Sequence, residues 1–228
     1  MISMELMDTS FDHFYKFVYH KLDLFIPESV LAYITLITLE AMDYLRSRWN
    51  IIHQSVKPSN ILVSRTAIKL VNSGITNKIF DMNHAIINGS DFRPELSNPT
   101  GATSDIEDDR SDVWSLGITI YELSKGHYPL WECKNLYHTM VQIIEGPPLK
   151  LTSVRLSDRC KSFVNAYLNK DQNQRQNYKE LLEHPFLQKA KEFQQINYAT
   201  AYLSDVINDL QHKTNTSGCH YYLHSIYR

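Results

Sequence analysis

Residues 51–63 read Ile51-Ile52-His53-Gln54-Ser55-Val56-Lys57-Pro58-Ser59-Asn60-Ile61-Leu62-Val63. Apolar ends enclose a polar middle. Ahead of it, Pro27 to Trp49 has the pattern of a long amphipathic helix. Pro27 suits the first turn, and Val30, Ile34, Ile37, Ala41 and Leu45 form one apolar stripe. Behind it, two short apolar runs, Asn60 to Val63 and Ala67 to Val71, are separated by Ser64, Arg65 and Thr66 and read as a small hairpin. The polar middle is a loop between the long helix and the first strand.

Working outward, residues 1–8, MISMELMD, are a short apolar piece ending in acid, either a strand end or a helix start. From Gly74 to Asp109 periodicity is lost. The piece SNPTGATSDIEDD is polar and acidic, so an exposed loop is expected, with Asp105 to Asp109 solvated. A helix starts near Ser111 and Asp112, with Val113, Leu116, Ile120 and Leu123 as its buried side and Gly126 as its C-cap. Further helices are expected at Leu136 to Glu145, Ser157 to Asn169, Tyr178 to Glu183 and Phe186 to Leu210, the last breaking near Gln195. Residues 211–228 read as a loose tail. The fold class is mainly α with one small β-hairpin, and no internal repeat is present.

The chain has 228 residues, a net charge of -2 and 43% apolar residues. That suits one domain, or one domain with a tail, with a sizeable core. No basic field recruits nucleic acid or an anionic membrane surface, and no apolar run is long enough for a membrane span. Cys133, Cys160 and Cys219 are far apart and odd in number, which points to unpaired thiols in a reducing compartment. No basic region precedes an apolar stretch at the start, so no secretory leader is expected. The ten histidines are scattered and read as satisfied or exposed side chains, with no functional metal site expected.

Five pieces in order carry a resemblance. His53 to Asn60 is similar in spacing and context to the protein-kinase catalytic loop, H-R-D-L-x-x-x-N, with Lys57-Pro58-Ser59-Asn60 intact. Val71-Asn72-Ser73-Gly74 stands where kinases carry D-F-G. Arg93-Pro94-Glu95 resembles A-P-E, and Ser111-Asp112-Val113-Trp114-Ser115-Leu116-Gly117 matches the family's SDVWSLG. Arg175 precedes Tyr178-Lys179-Glu180-Leu181-Leu182 and His184-Pro185-Phe186. The chain thus resembles protein kinases, and in MELMDTSFDHFYKFVY, IIHQSVKPSNILV and SDVWSLGITIYEL it looks like the stress-activated branch of the dual-specificity MAP kinase kinases. The resemblance covers residues 1 to about 210.

It implies a kinase C-terminal lobe over 11–190, a hinge remnant over 1–10, a docking-like helix over 191–210 and a flexible tail over 211–228. With Met4 to Asp8 as the interlobe hinge, the N-lobe is expected to be absent, and no G-x-G-x-x-G occurs in the 228 residues. In the active family ATP and magnesium are the cofactors. The degraded nucleotide and magnesium site falls at Met4, Asn60 and Asn72, and the catalytic positions at Ser55, Lys57 and Asn60. His53, Glu95, Asp112 and Arg175 take structural roles, with Asp112 bonding the catalytic-loop backbone and Arg175 pairing with Glu95.

The departures decide the activity expected. The catalytic Asp position is Ser55, a hydroxyl that accepts no proton near neutral pH without a base beside it, and loss of a general base costs about 10²–10⁴ in rate. The magnesium-binding Asp position is Asn72, a neutral amide, whereas magnesium around phosphate prefers anionic oxygens. Matching Phe80-Asp81 to the family places Met82 and Ile86 at the activation-loop acceptor positions, and Gln54 replaces the Arg that meets the phosphate there. No functional cofactor is expected.

Near the C-terminus Ala199, Leu203, Val206 and Leu210 form a stripe beside Tyr202 and Ile207. It suits packing on the lobe itself, or the docking of an upstream kinase that the resemblance implies there. The expected function is a pseudokinase-like binding module engaging a MAP kinase or an upstream MAP kinase kinase kinase in the cytoplasm, with the nucleus as a second compartment. Two rivals stay open. One is an active kinase of Ser, Thr and Tyr. The other is a decaying or truncated copy, whose hinge strand would be left unpaired.

Overall fold

The computed structural model describes residues 5–72, 93–94, 109–133 and 135–216. Its architecture is mainly helical, with a three-stranded antiparallel sheet. Strand β1 (Thr9–Ser10) leads into α1 (Phe11–His20), and α2 (Glu28–Trp49) follows. A 3-10 turn over Pro58–Asn60 precedes β2 (Ile61–Val63) and β3 (Ile68–Leu70). Among the described residues the α-helices that follow are α3 (Arg110–Lys125), α4 (Leu136–Ile144), α5 (Asp158–Tyr167), α6 (Tyr178–Leu182), α7 (Pro185–Ala190) and α8 (Phe193–Thr216).

The expected hairpin is present in shorter form, with Leu62 opposite Lys69. It gains a strand. Thr9 pairs with Val63 and Ser10 with Leu62, so the hinge-side strand is not unpaired. Ser10 then ends the strand and starts α1, its hydroxyl accepting the His13 amide at 3.4 Å.

Helix α2 is the centre of the lobe. It packs against α3, α6, α7, α8 and β3, so burial runs almost all round it. Leu31, Leu36, Leu39 and Met42 are buried, while Ile37, Ala41 and Leu45 of the expected stripe are only half-buried. Buried Thr35 and Thr38 each return a hydroxyl bond to the carbonyl four residues back, which satisfies them inside the core. Asn50, in the left-handed region at φ 52°, ends the helix.

Helix α3 matches its expected side, with Val113, Leu116, Ile120 and Leu123 buried. Gly126 caps it at φ 77°, where a Cβ would meet the Tyr19 ring at 2.5 Å. Gly117 lets α5 approach: a Cβ there would lie 2.7 Å from the Tyr167 Cβ. Ser157 caps α5 and Asn177 forms a capping box with Glu180 at α6. Past His184 the chain breaks at Lys191–Glu192, ahead of the expected Gln195, because α7 has already ended at Ala190. Helix α8 runs on to Thr216 rather than loosening at residue 211, since its apolar side is buried as far as Leu210 and its next turn is tied down. Residues 217–228 lie outside the described residues. Among the described residues no helix is long and apolar enough to cross a membrane.

Candidate functional site

The loop from Ile51 to Lys57 is fastened from below by α3. Asp112, 1% exposed, places one carboxylate across two backbone amides: the His53 N–H donates to Oδ2 at 2.7 Å and the Gln54 N–H to Oδ1 at 2.7 Å. The Tyr178 hydroxyl adds a third bond to Oδ2 at 3.2 Å. Burial pushes the Asp112 carboxyl up to about 6, against the pull of those three donors and of Arg93. Thr119, further along α3, donates to the Val56 carbonyl at 3.2 Å. Gln54 is held in the left-handed region at φ 63°, a conformation costing an ordinary residue about 1 kcal/mol, and its amide bond to Asp112 fixes it there.

His53 is the second post. It is 1% exposed, and burial lowers its ring to about 4, so it is neutral at pH 7. Its Nε2 lies 2.9 Å from the Val71 carbonyl, which only accepts, so Nε2 carries the proton. Nδ1 is buried without a hydrogen-bond partner among the described residues. This bond ties the catalytic loop to the segment that follows β3.

Between these posts lie Ser55, Asn60 and Asn72. The Asn60 Nδ2 donates to the Ser55 carbonyl at 2.8 Å and to Ser55 Oγ at 2.9 Å. Because a backbone carbonyl only accepts, the atom facing it must be the NH₂ group, and Oδ1 is turned the other way. Asn72, at φ 60°, then donates its own Nδ2 to Asn60 Oδ1 at 3.2 Å. The two side chains at the magnesium-ligand positions bond directly to one another. The pair presents no carboxylate to a divalent cation, so these residues do not fit the metal that the family uses. Ser55 and Asn60 are 5% and 7% exposed, and neither titrates. Lys57 stands half-buried at the head of the 3-10 turn, its carbonyl accepting the Asn60 amide at 2.9 Å.

Arg175 is 2% exposed, with its guanidinium 5.0 Å from the Trp114 ring centre. Its Nε donates to the Asn169 carbonyl at 2.7 Å and Nη1 to the Arg110 carbonyl at 3.1 Å. Arg110 returns a bond to the Arg175 carbonyl at 3.1 Å. The expected partner, Glu95, lies outside the described residues, as do Met4, Met82 and Ile86. The structure brings together Ser55, Asn60 and Asn72 as one group and His53 and Asp112 as the support beneath it. Sequence reasoning missed Tyr178 and Thr119 as members of that support, although both stand in the helices quoted for the resemblance. A cavity of about 820 Å³ opens elsewhere, lined among others by Phe25, Lys125 and Arg155, and none of the loop residues lines it.

A catalytic-loop scaffold on a buried α3 aspartate is the frame of a protein kinase, and the protein kinase domain matches residues 1–187. The chain belongs to the protein kinase family. Within it the chain is MAP kinase kinase-like. It is 36% identical over 201 residues to the dual specificity mitogen-activated protein kinase kinase sek-1 of Caenorhabditis elegans, covering 87% of this chain and 60% of that protein. It is 38% identical over 190 residues to the MAP kinase kinase mkk-4 of the same organism, covering 81% and 52%. To the human dual specificity mitogen-activated protein kinase kinase 7 it is 35% identical over 193 residues, covering 82% and 45%. The chain spans about half the length of these curated relatives.

Proposed function

We propose that this chain is a MAP kinase kinase-like lobe that transfers no phosphate and serves MAP kinase signalling by binding. One observation carries the reading. Where the family places a proton-accepting carboxylate and a cation-binding carboxylate, Ser55 and Asn72 are neutral and bonded into a closed amide network through Asn60. A kinase turns over at about 1–100 s⁻¹, and loss of the base alone removes about two to four orders of magnitude. The support beneath the loop, Asp112 and His53, keeps its buried bonds, so the lobe retains a shaped surface without the chemistry. On this reading no magnesium or ATP is used. The partner is a MAP kinase or an upstream MAP kinase kinase kinase, met in the cytoplasm.

The second reading, an active dual-specificity kinase, draws on the names of the relatives and on the retained Lys57 and Asn60. Incubation of the purified protein with labelled MgATP and a MAP kinase separates the two. Transfer at the level of a no-enzyme control is expected, together with capture of a cascade kinase in a pull-down. Transfer above the control that disappears in Lys57→Ala overturns the silent reading.

A further inference from the structure

The ionic ring at the end of α8 has no role in the chemistry above. Helix α8 lies on its own lobe through buried Ala199, Leu203, Val206, Ile207 and Leu210, against α2, α1 and α7. The stripe that sequence offered to an upstream partner is therefore already occupied. The last turns of the helix reach further, to the sheet. Arg65, in the turn between β2 and β3, donates from Nε to Asn208 Oδ1 at 2.9 Å and from Nη2 to Gln211 Oε1 at 2.5 Å. Its Nη1 lies 3.3 Å from Asp8 Oδ1, and its backbone amide donates to Asp8 Oδ2 at 3.2 Å. Gln211 closes the ring, donating from Nε2 to Asp8 Oδ1 at 2.9 Å across 203 residues of sequence. All three nitrogens of one guanidinium are engaged, in the forked geometry that arginine supplies and lysine does not.

Asp8 leads directly into β1, which is two residues long. So short a strand has few ladder bonds of its own: the Asp8 amide reaches the Val63 carbonyl at 3.1 Å, and only Thr9 and Ser10 pair beyond it. The ring adds a fastening to the helix at the point where the sheet is weakest. Tyr202, bonding the Phe25 carbonyl at 3.3 Å, and Lys213, 5.5 Å from the Phe17 ring centre, tie the same helix across α1 and the segment after it.

We infer that α8 is an intramolecular strap, with Asp8, Arg65, Asn208 and Gln211 coupling it to the hinge-side strand, so that lifting the helix releases β1. The ring is partly exposed, with 42% of the Arg65 side chain and 20% of the Asp8 side chain open to solvent. Such contacts are individually weak, so the end of the strap is separable from the apolar packing that seats the rest. A partner able to use the Leu203 stripe must first lift the helix, and the hinge-side strand registers that event. This coupling does not depend on whether the lobe is silent.

Hydrogen exchange on the intact chain tests it. In Arg65→Ala, and separately in Asn208→Ala/Gln211→Ala, the amides of Asp8 to Ser10 are expected to exchange about tenfold faster. Amides of α5 stay at the wild-type rate, and the melting temperature is nearly unchanged. Leu203→Asp, which lifts the apolar side, should accelerate the same three amides, and if it unfolds the chain the surface variants still decide. Wild-type exchange at 8–10 in both surface variants overturns the inference. Acceleration in Arg65→Ala alone also overturns it, because Asp8 and Arg65 would then suffice without the helix.

Discussion

Ser55 and Asp112 are both buried, one in the reaction group and one in the support beneath it, yet they differ in kind. Ser55, Asn60 and Asn72 are neutral side chains that satisfy one another. Asp112 is a buried carboxyl receiving three donors from two other parts of the chain. The first group can change identity and keep its bonds, because an amide or a hydroxyl finds partners of its own kind. The second cannot, because only a carboxylate accepts two adjacent amides and a phenol together. The fold therefore depends on the support and not on the reaction group.

The largest effect should come from cutting the support. Asp112→Ala leaves the His53 and Gln54 amides and the Tyr178 hydroxyl without their acceptor. At about 1–3 kcal/mol for each stranded buried donor, the loss is about 3 kcal/mol or more. Ser55→Ala removes one acceptor from Asn60, which keeps the Ser55 carbonyl, so a cost under about 1 kcal/mol is expected. Urea denaturation of both variants measures the difference. Equal losses would break the comparison.

A pH titration sharpens it, because the support titrates and the reaction group does not. His53 is lowered from 6.5 to about 4 by burial. The unfolded chain takes up that proton first as pH falls, so its stabilisation is complete above pH 6.5 and is lost toward pH 4. Asp112 is raised from 3.8 to about 6 by burial. Its contribution runs the other way, complete below pH 3.8 and lost as pH rises through 6. The two slopes oppose one another across the shared window. Asp112→Asn removes one of them, so the variant should lose on the order of 2 kcal/mol more than the wild type between pH about 6.5 and about 4.5. Denaturant midpoints across that range give the answer, and parallel curves for the two proteins would mean that the Asp112 carboxyl is not raised in the folded lobe.

How much of this was legible beforehand follows the same division. The loop between helix and strand, α3 with its four buried residues, and Gly126 as its cap all follow from local pattern. The third strand did not, because Thr9–Ser10 is too short to display an alternation. The stripe assigned to α2 was too narrow, since a helix that packs against five other elements buries more than one side, although Glu40 and Tyr44 stay exposed. Ser55 and Asn72 were visible as substitutions at motif positions. Their direct link through Asn60 was not, because it depends on which way one amide turns, and the Ser55 carbonyl settles that only in three dimensions. Tyr178 and Thr119 were hidden for a similar reason: each is one polar residue in a helix until the loop is laid across it.

The smallest effect probes the amide link itself. Asn60 cannot turn its amide round without facing its oxygen to the Ser55 carbonyl, so Oδ1 stays aimed at position 72. Asn72→Asp then sets a carboxylate against that oxygen where an N–H stood. Two acceptors at hydrogen-bond distance repel, and the variant should be less stable than the wild type without added cation. The same pair of oxygens, one of them anionic, suits a hard divalent ion. Manganese should therefore stabilise Asn72→Asp, by about 1 kcal/mol at several times its dissociation constant, and leave the wild type unmoved. Thermal melts of both proteins with and without manganese, in the absence of nucleotide, read this directly. A manganese shift in the wild type would mean that the neutral pair still grips a cation, and the contrast between reaction group and support would lose its basis.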